Sequence, residues 1–334
     1  MSTNDSMRAL MVQEAGGKFQ SLQVPKPVPR EGEVLVRIHA SGVNPLDSKI
    51  RAGAAAHARH PLPAILGMDL AGVVEQVGPG VGAFRVGDEV YGLTGGVAGL
   101  QGSLAEFAAV DADLLAPKPI NLSMREAAAL PLVIITAWEG LVDRARTHAG
   151  QKVLVHGGAG GVGHVAVQIA AARGAQVFAT GLPAQADTIR GLGATPIDFT
   201  ATTVEQYVAA HTAGEGFDVV YDTVGGATLD ASFGAAREYG GHVVSCLGWG
   251  THKLAPLSFR AATYSGVFTL LPMLSGKGRA NHGHILREAA RLIEAGKLLP
   301  LMDPRRFDLD SAMEAHEEVE AGRAKGKIVV DIRK

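Results

Sequence analysis

Cysteine is almost missing from this chain: Cys246 is the only one in 334 residues. One thiol closes no disulfide within the chain and builds no cysteine zinc cluster, and it suits a reducing compartment such as the cytoplasm. An excess of either charge is also missing. Lys and Arg number 31 against 33 Asp and Glu, a formal net charge of −2, so no electrostatic field favours nucleic acid or an anionic membrane. No apolar run reaches the ~20 residues of a membrane-crossing helix. The opening MSTNDS lacks the charged-then-apolar plan of a signal peptide and reads as a disordered tail. No internal repeat is visible. Glycine is plentiful at 43 residues, and apolar side chains make up 47%, enough for two domains with sizeable cores.

One stretch organises the rest. Residues 151–174 read QKVLVHGGAGGVGHVAVQIAAARG. A β-branched apolar run (152–156) predicts a buried strand, and apolar residues at helical spacing from Val162 to Arg173 predict a helix capped by Gly174. Between them, Gly158, Gly160 and Gly163 satisfy G-x-G-x-x-G. A turn this tight, with a pyrophosphate against the backbone and a helix packed on its strand, excludes Cβ atoms. The phosphates then meet outward amides and the positive end of a helix dipole. Three glycines alone are a weak signal; a strand before them and a helix after them make it specific.

Upstream, short apolar runs at 7–12, 21–24, 33–40, 71–77, 86–91 and 103–110 are separated by Pro and Gly clusters, which predicts an all-β, barrel-like unit. Residues 41–53 read as a chain leaving a strand and turning at Asn44–Pro45, with Asn and Asp as turn-formers. His57 and His60 have no cysteine or carboxylate cluster beside them and read as surface-loop residues.

Ser123 and Glu126 form a capping-box signature before an apolar helix (127–142) interrupted at Pro131. After the glycine stretch, strands (176–180, 195–199, 217–222, 241–246) alternate with helices (183–192, 203–211, 227–238). That order predicts a doubly wound parallel sheet with right-handed crossovers and ligands beyond the carboxyl ends of its strands. A β-rich run (257–271), helices at 283–294 and 311–322, and a closing strand at 327–332 complete the chain. A site selective for NAD places an acid at the end of the second strand to bond the ribose hydroxyls. Here that strand ends Ala179–Thr180–Gly181, and the first acid downstream is Asp187. The missing acid removes a repulsion against a 2′-phosphate and favours NADPH, although no Lys or Arg follows before Arg190.

Six motifs follow one another in order: GVNPLD (42–47), LGMDLAGVV (66–74), FRVGDEVYG (84–92), LPLVIITAWEGL (130–141), VLVHGGAGGVG (153–163) and AGRAKGKIVV (321–330). Together they resemble the medium-chain dehydrogenase/reductase superfamily, in its zinc-independent, zeta-crystallin-like quinone oxidoreductase branch. The resemblance implies an α/β fold with a GroES-like β-barrel catalytic domain (1–125 and 301–334) and a Rossmann domain (126–300). It also implies a homodimer joined edge to edge through a late strand at 263–270. The alcohol dehydrogenases of the superfamily carry a zinc-binding His where this chain has Met68, and a cysteine ligand near Asn44, so no zinc is expected. Without that Lewis acid the fitting acceptor is already electrophilic: a quinone or α,β-unsaturated carbonyl, needing only hydride, orientation and hydrogen bonds to the developing oxyanion.

By the same resemblance, Gly158, Ala159, Gly160, Gly161 and Val162 hold the pyrophosphate. Thr180 and Gly181 face the adenosine ribose, and Gly225, Leu247 and Gly248 line the cofactor cleft. Asn44 and Thr136 lie near the nicotinamide. Asp47 recurs beside the site, where a structural hydrogen bond competes with a catalytic role. Two residues depart from the family: Lys49 stands where many relatives have Tyr, and Gln185 and Asp187 stand where many have a Lys for the 2′-phosphate. An enoyl-thioester reductase and an NADPH-binding protein without turnover are the alternatives.

Overall fold

The computed structural model describes residues 6–333. Most of the expected N-terminal tail lies outside the described residues, and Ser6 already opens the first strand. In chain order the strands are β1 (Ser6–Val12), β2 (Gln20–Pro25), β3 (Glu33–Gly42), β4 (Ala64–Ile65), β5 (Asp69–Val77), β6 (Glu89–Leu93), β7 (Phe107–Asp111) and β8 (Leu115–Pro117). Then come β9 (Lys152–His156), β10 (Gln176–Gly181), β11 (Thr195–Asp198), β12 (Val219–Asp222), β13 (His242–Ser245) and β14 (Thr263–Gly266). The last two are β15 (Phe307–Asp308) and β16 (Val329–Asp331).

The chain divides into two compact units. The first holds the described residues up to Leu132 with Leu270–Glu294 and the chain from Pro300 onward; the second holds Val133–Thr269 and Ala295–Leu299. The sequence boundaries assign residues 126–132, residues 270–294 and Pro300 to the other domain.

In the first unit a largely antiparallel, barrel-type sheet runs β15-β16-β3-β5-β6-β8, with β7 also on β3. β3 is its spine. β5 pairs along one edge; β7 covers Glu33–Arg37 on the other and β16 takes over at Ala40–Gly42. Paired on both edges, β3 buries Val34, Leu35, Val36, Ile38 and Ala40 while Arg37 and His39 stay half-buried, and two register shifts against β5 let it bend. The C-terminal strand is thus stitched into the N-terminal sheet. The helix Arg279–Glu294 belongs here too: the buried Tyr91 hydroxyl donates to its Leu286 carbonyl at 2.6 Å.

The second unit is a six-stranded parallel sheet in the order β11-β10-β9-β12-β13-β14. This is the doubly wound order whose crevice opens between β9 and β12. One core cluster contains Leu154, Phe178, Ile197, Phe217, Val220, Phe233 and Val243.

Several elements differ from the sequence reading. Residues 41–53 contain a helix, Pro45–Arg51, rather than only a turn: Pro45 opens it, and the Asp47 carboxylate accepts from the Asn44 N–H at 2.8 Å. The strand expected at 86–91 starts only at Glu89, because Gly87 takes φ 95° in a turn closed onto the Val74 carbonyl. The β-rich run at 257–271 begins as a helix, Ala255–Phe259, with Pro256 in its first turn; the strand stops at Gly266. His57 sits exposed on a short 3₁₀ turn, whereas His60 is half-buried and its Nδ1 accepts from the Gly99 N–H at 3.3 Å. Removing the buried hydroxyl in Tyr91→Phe is expected to cost about 1 kcal/mol in denaturant unfolding, the net worth of one internal hydrogen bond.

Candidate functional site

In the second unit β9 runs straight into the glycine turn, which opens the helix Gly163–Ala172. Close packing dictates the glycines. A Cβ on Gly158 would lie 2.5 Å from the Ala179 Cβ, and one on Gly163 would lie 2.0 Å from the Gly157 carbonyl oxygen. β10 braces the turn: Thr180 takes the Gly157 N–H on its Oγ1 at 3.1 Å and the Gly158 N–H on its carbonyl at 2.9 Å. The inner half of the turn is thereby tied down, while Gly160 and Gly161 are exposed and Ala159 and Val162 half-buried. The open amides at the helix start make a cradle that fits an anionic phosphate group. Beneath it, burial pulls the His156 imidazole down to about 4, so it is neutral at physiological pH; its Nδ1 lies 3.3 Å from the Thr180 Oγ1.

Thr180 and Gly181 are both buried, and the Thr180 hydroxyl is engaged by the turn. Past them no carboxylate ends the strand. Gln185 accepts the Leu182 N–H at 2.9 Å, and Asp187 pairs with Arg190 at 2.5 Å on the exposed helix Ala186–Gly191.

The loops after β12 and β13 are joined by a residue the sequence reading gave no role. Buried Asp222 accepts from the Val224 and Gly225 amides and from the Ser245 hydroxyl, the last at 2.7 Å. Ser245 Oγ in turn accepts the Leu247 N–H at 3.0 Å. One carboxylate thus sets Gly225, Leu247 and, one residue on, Gly248. Thr136, in the helix Pro131–Trp138, is buried, and its carbonyl accepts from the Tyr221 hydroxyl at 2.7 Å. Directly after it the helix widens into a π-turn, Glu139–Arg144, a rare geometry that often marks functional sites.

In the first unit, Asn44 and Asp47 belong to a buried polar group with Asp69 and Lys327. The Lys327 ammonium donates to Asn44 Oδ1 at 2.5 Å and to the Val43 carbonyl at 3.1 Å. An ammonium can only donate, so it fixes which end of the Asn44 amide carries oxygen. The other end donates to Asp69 Oδ2 at 2.9 Å, and Asp69 Oδ1 accepts the Leu132 N–H at 2.9 Å. Burial pushes the Asp47 carboxyl up to about 7 and the Asp69 carboxyl up to about 6, while it lowers the Lys327 ammonium. A protonated Asp47 leaves one ammonium and one carboxylate, a neutral buried group. Lys49, two residues along the helix, is exposed where Asp47 is buried. Lys327 and Asp69 escaped the sequence reading. Their signal, a charge inside an otherwise apolar strand motif, is present in LGMDLAGVV and GKIVV.

Between the unfolded value near 4 and about 7, folded Asp47 holds a proton that the unfolded chain has released. This group therefore lowers stability as pH rises through that window. Asp47→Asn keeps an oxygen for the Asn44 N–H and is expected to gain on wild type as pH rises from about 4 to about 7, read as a shift in denaturation midpoint. Lys327→Met strands the Asp69 carboxylate without its cation and is expected to destabilise by about 3 kcal/mol at neutral pH.

Met68, completely buried, supplies no metal-binding donor of the usual N or O kind, and among the described residues no three His, Cys, Asp or Glu side chains gather to hold a metal ion. Comparison with known proteins matches residues 30–120 to the alcohol dehydrogenase GroES-like domain and residues 192–330 to a family described as zinc-binding dehydrogenase. The chain is 38% identical over 311 residues to 2-methylene-furan-3-one reductase of Solanum lycopersicum, covering 90% of this chain and 72% of that protein. It is 35% identical over 337 residues to the chloroplastic NADPH-dependent alkenal/one oxidoreductase of Arabidopsis thaliana, covering 97% and 79%. A crystal structure of an alcohol dehydrogenase superfamily protein from Novosphingobium aromaticivorans superposes with a TM-score of 0.96 at 60% identity, covering 98% of this chain and 100% of that one. With full-length relatives of this identity and no ligand set around Met68, the chain belongs to the medium-chain dehydrogenase/reductase superfamily, in its zinc-independent quinone and enone oxidoreductase branch.

Proposed function

We propose that the protein is an NADPH-dependent reductase of α,β-unsaturated carbonyls and quinones. The observation that carries this reading is the glycine cradle: open amides beside the β9/β12 crevice, with no acid at the end of β10 to repel a 2′-phosphate. When bound, the cofactor supplies a hydride to an electrophilic carbon. Gly158 to Val162 hold its pyrophosphate, and Thr180 acts on it indirectly, by bracing the turn. Thr180 and Gly181 border the adenosine ribose through their backbone. Asp222 holds Gly225, Leu247 and Gly248 along the nicotinamide half, where Thr136 is assigned to the reacting end. Asn44 and Asp47 are the polar residues of the GroES-like unit assigned to the acceptor. Asp47 serves there through its bond to the Asn44 amide and its proton, while Lys327 holds Asn44 in one orientation.

The relatives' names favour this acceptor class: one is a 2-methylene-furan-3-one reductase and another an NADPH-dependent alkenal/one oxidoreductase. We further assign a homodimer. β14 is the edge of its sheet, and its Tyr264 is 36% exposed; an unpaired strand edge of this kind can pair with its copy. The lone cysteine favours a reducing cytoplasm, and no described helix is long and apolar enough to cross a membrane.

Purified protein is expected to oxidise NADPH with a simple enone or quinone and to keep its rate in the presence of a chelator. NADPH should exceed NADH in kcat/KM by at least about tenfold, the value of one hydrogen bond to a charged group. Stopped assays over enones, quinones and enoyl thioesters with both cofactors check this. Turnover confined to enoyl thioesters, or NADPH binding without turnover of any of them, overturns it.

A further inference from the structure

Among its described residues the first unit buries four hydroxyl side chains: Ser41, Ser48, Thr94 and Ser103. Buried hydroxyls are ordinarily hydrogen-bonded, because an unmade bond costs the full desolvation of the group. Three of the four obey. Ser41 Oγ and Ser103 Oγ lie 2.7 Å apart, and Ser48 Oγ lies 3.4 Å from His316 Nδ1. Thr94 is the exception. It is 5% exposed, and its hydroxyl has no hydrogen-bond partner among the described residues. It is not sealed either. The Thr147 hydroxyl of the second unit is fully enclosed, whereas that of Thr94 keeps contact with open space.

Backbone holds this residue in place. Thr94 follows the last residue of β6. Leu93 pairs with Asp69 across the sheet, and the Thr94 N–H donates to the Met68 carbonyl at 2.8 Å. Thr94 therefore stands one residue from the strand pair that carries Asp69, a member of the polar group around Asn44. Both ends of the Asn44 amide are engaged within that group, by Lys327 and by Asp69. Met68, opposite Thr94, is a thioether with no donor. The Thr94 O–H is thus an uncommitted donor beside the group, flanked by buried Leu93 and Gly95. A donor in such surroundings binds a charged oxygen more strongly than the same donor in water. When a conjugated carbonyl accepts the cofactor's hydride at its β-carbon, the π electrons shift and the oxygen becomes an enolate; water then protonates the α-carbon. Charge grows on that oxygen in the transition state, so a fixed donor lowers the barrier more than it tightens binding.

We propose that the Thr94 hydroxyl is a catalytic group that donates a hydrogen bond to the carbonyl oxygen of the bound acceptor. The proposal rests on the reductase reading above and names a donor to the oxyanion within it. The test compares wild type, Thr94→Val and Thr94→Ser with 3-buten-2-one and 1,4-naphthoquinone. Valine keeps the branched shape and removes the hydroxyl; serine keeps the hydroxyl. In Thr94→Val, kcat is expected to fall about a hundredfold, the scale of one lost oxyanion donor, with little change in KM. Thr94→Ser is expected to restore most of that rate. The denaturation midpoint of Thr94→Val is expected to equal or exceed that of wild type, since the hydroxyl has no internal bond to lose. NADPH affinity, measured by its fluorescence, is expected to stay at the wild-type value. An undiminished kcat in Thr94→Val overturns the proposal. So does a lowered midpoint, a loss of NADPH affinity that accounts for the effect, or a rate that Thr94→Ser does not restore. Wild type that reduces neither acceptor overturns the reductase reading and this proposal together; an active wild type with an unimpaired Thr94→Val overturns this proposal alone.

Discussion

The Lys327 ammonium is the constraint on which the first unit most depends. It lies beyond the reach of water, among the Val43 carbonyl, the Asn44 amide and two carboxyl groups. A buried charge is tolerable only when its donors are matched. Matching this one draws four separated stretches of chain to one point: the end of β3, the helix that follows it, the start of β5 and the approach to β16. The same match selects one orientation for Asn44, and burial in the same group, against the pull of the ammonium, raises the Asp47 carboxyl to about 7. The pairing of β16 with β3 and the orientation of Asn44 therefore depend on one set of hydrogen bonds.

The second unit works by a different principle. Its cradle is made of backbone, and side chains act by holding that backbone still. Thr180 ties the turn after β9 and Asp222 ties the loops after β12 and β13. Both lie at the carboxyl ends of parallel strands, where strand direction aims successive loops at one edge. Neutral His156 beneath the turn adds no charge of its own. What remains exposed at that edge includes the backbone of Gly160 and Gly161, suited to an anionic group.

Much of this was readable in advance because it is local. The strand, glycine turn and helix at 151–174 needed only periodicity and the exclusion of Cβ atoms, and the alternation after them dictated a parallel sheet. The Ser123 capping box appears as expected, with Glu126 Oε2 accepting the Ser123 N–H at 2.9 Å. The helix at Pro45–Arg51 is equally local but ambiguous in sequence: Asn44, Pro45 and Asp47 are turn-formers and also the cap and first turn of a helix. Seven residues are too few for apolar periodicity to decide between them. The run at 257–271 misled for a related reason, since β-branched and aromatic residues there pack against a helix as readily as within a strand.

By itself, then, the sequence determined the two kinds of unit, the glycine turn between strand and helix and the lack of a metal-binding set at Met68 and Asn44. Each follows from residue type at short range or from a missing donor. Only the tertiary structure decided what Asn44 and Asp47 touch, that Thr180 braces the turn and that Asp222 clamps two loops. Lys327 lies 283 positions from Asn44 along the chain. No pattern in either segment encodes that contact. It exists because β16 completes the edge of β3 and carries the ammonium to the Val43 carbonyl and Asn44 Oδ1.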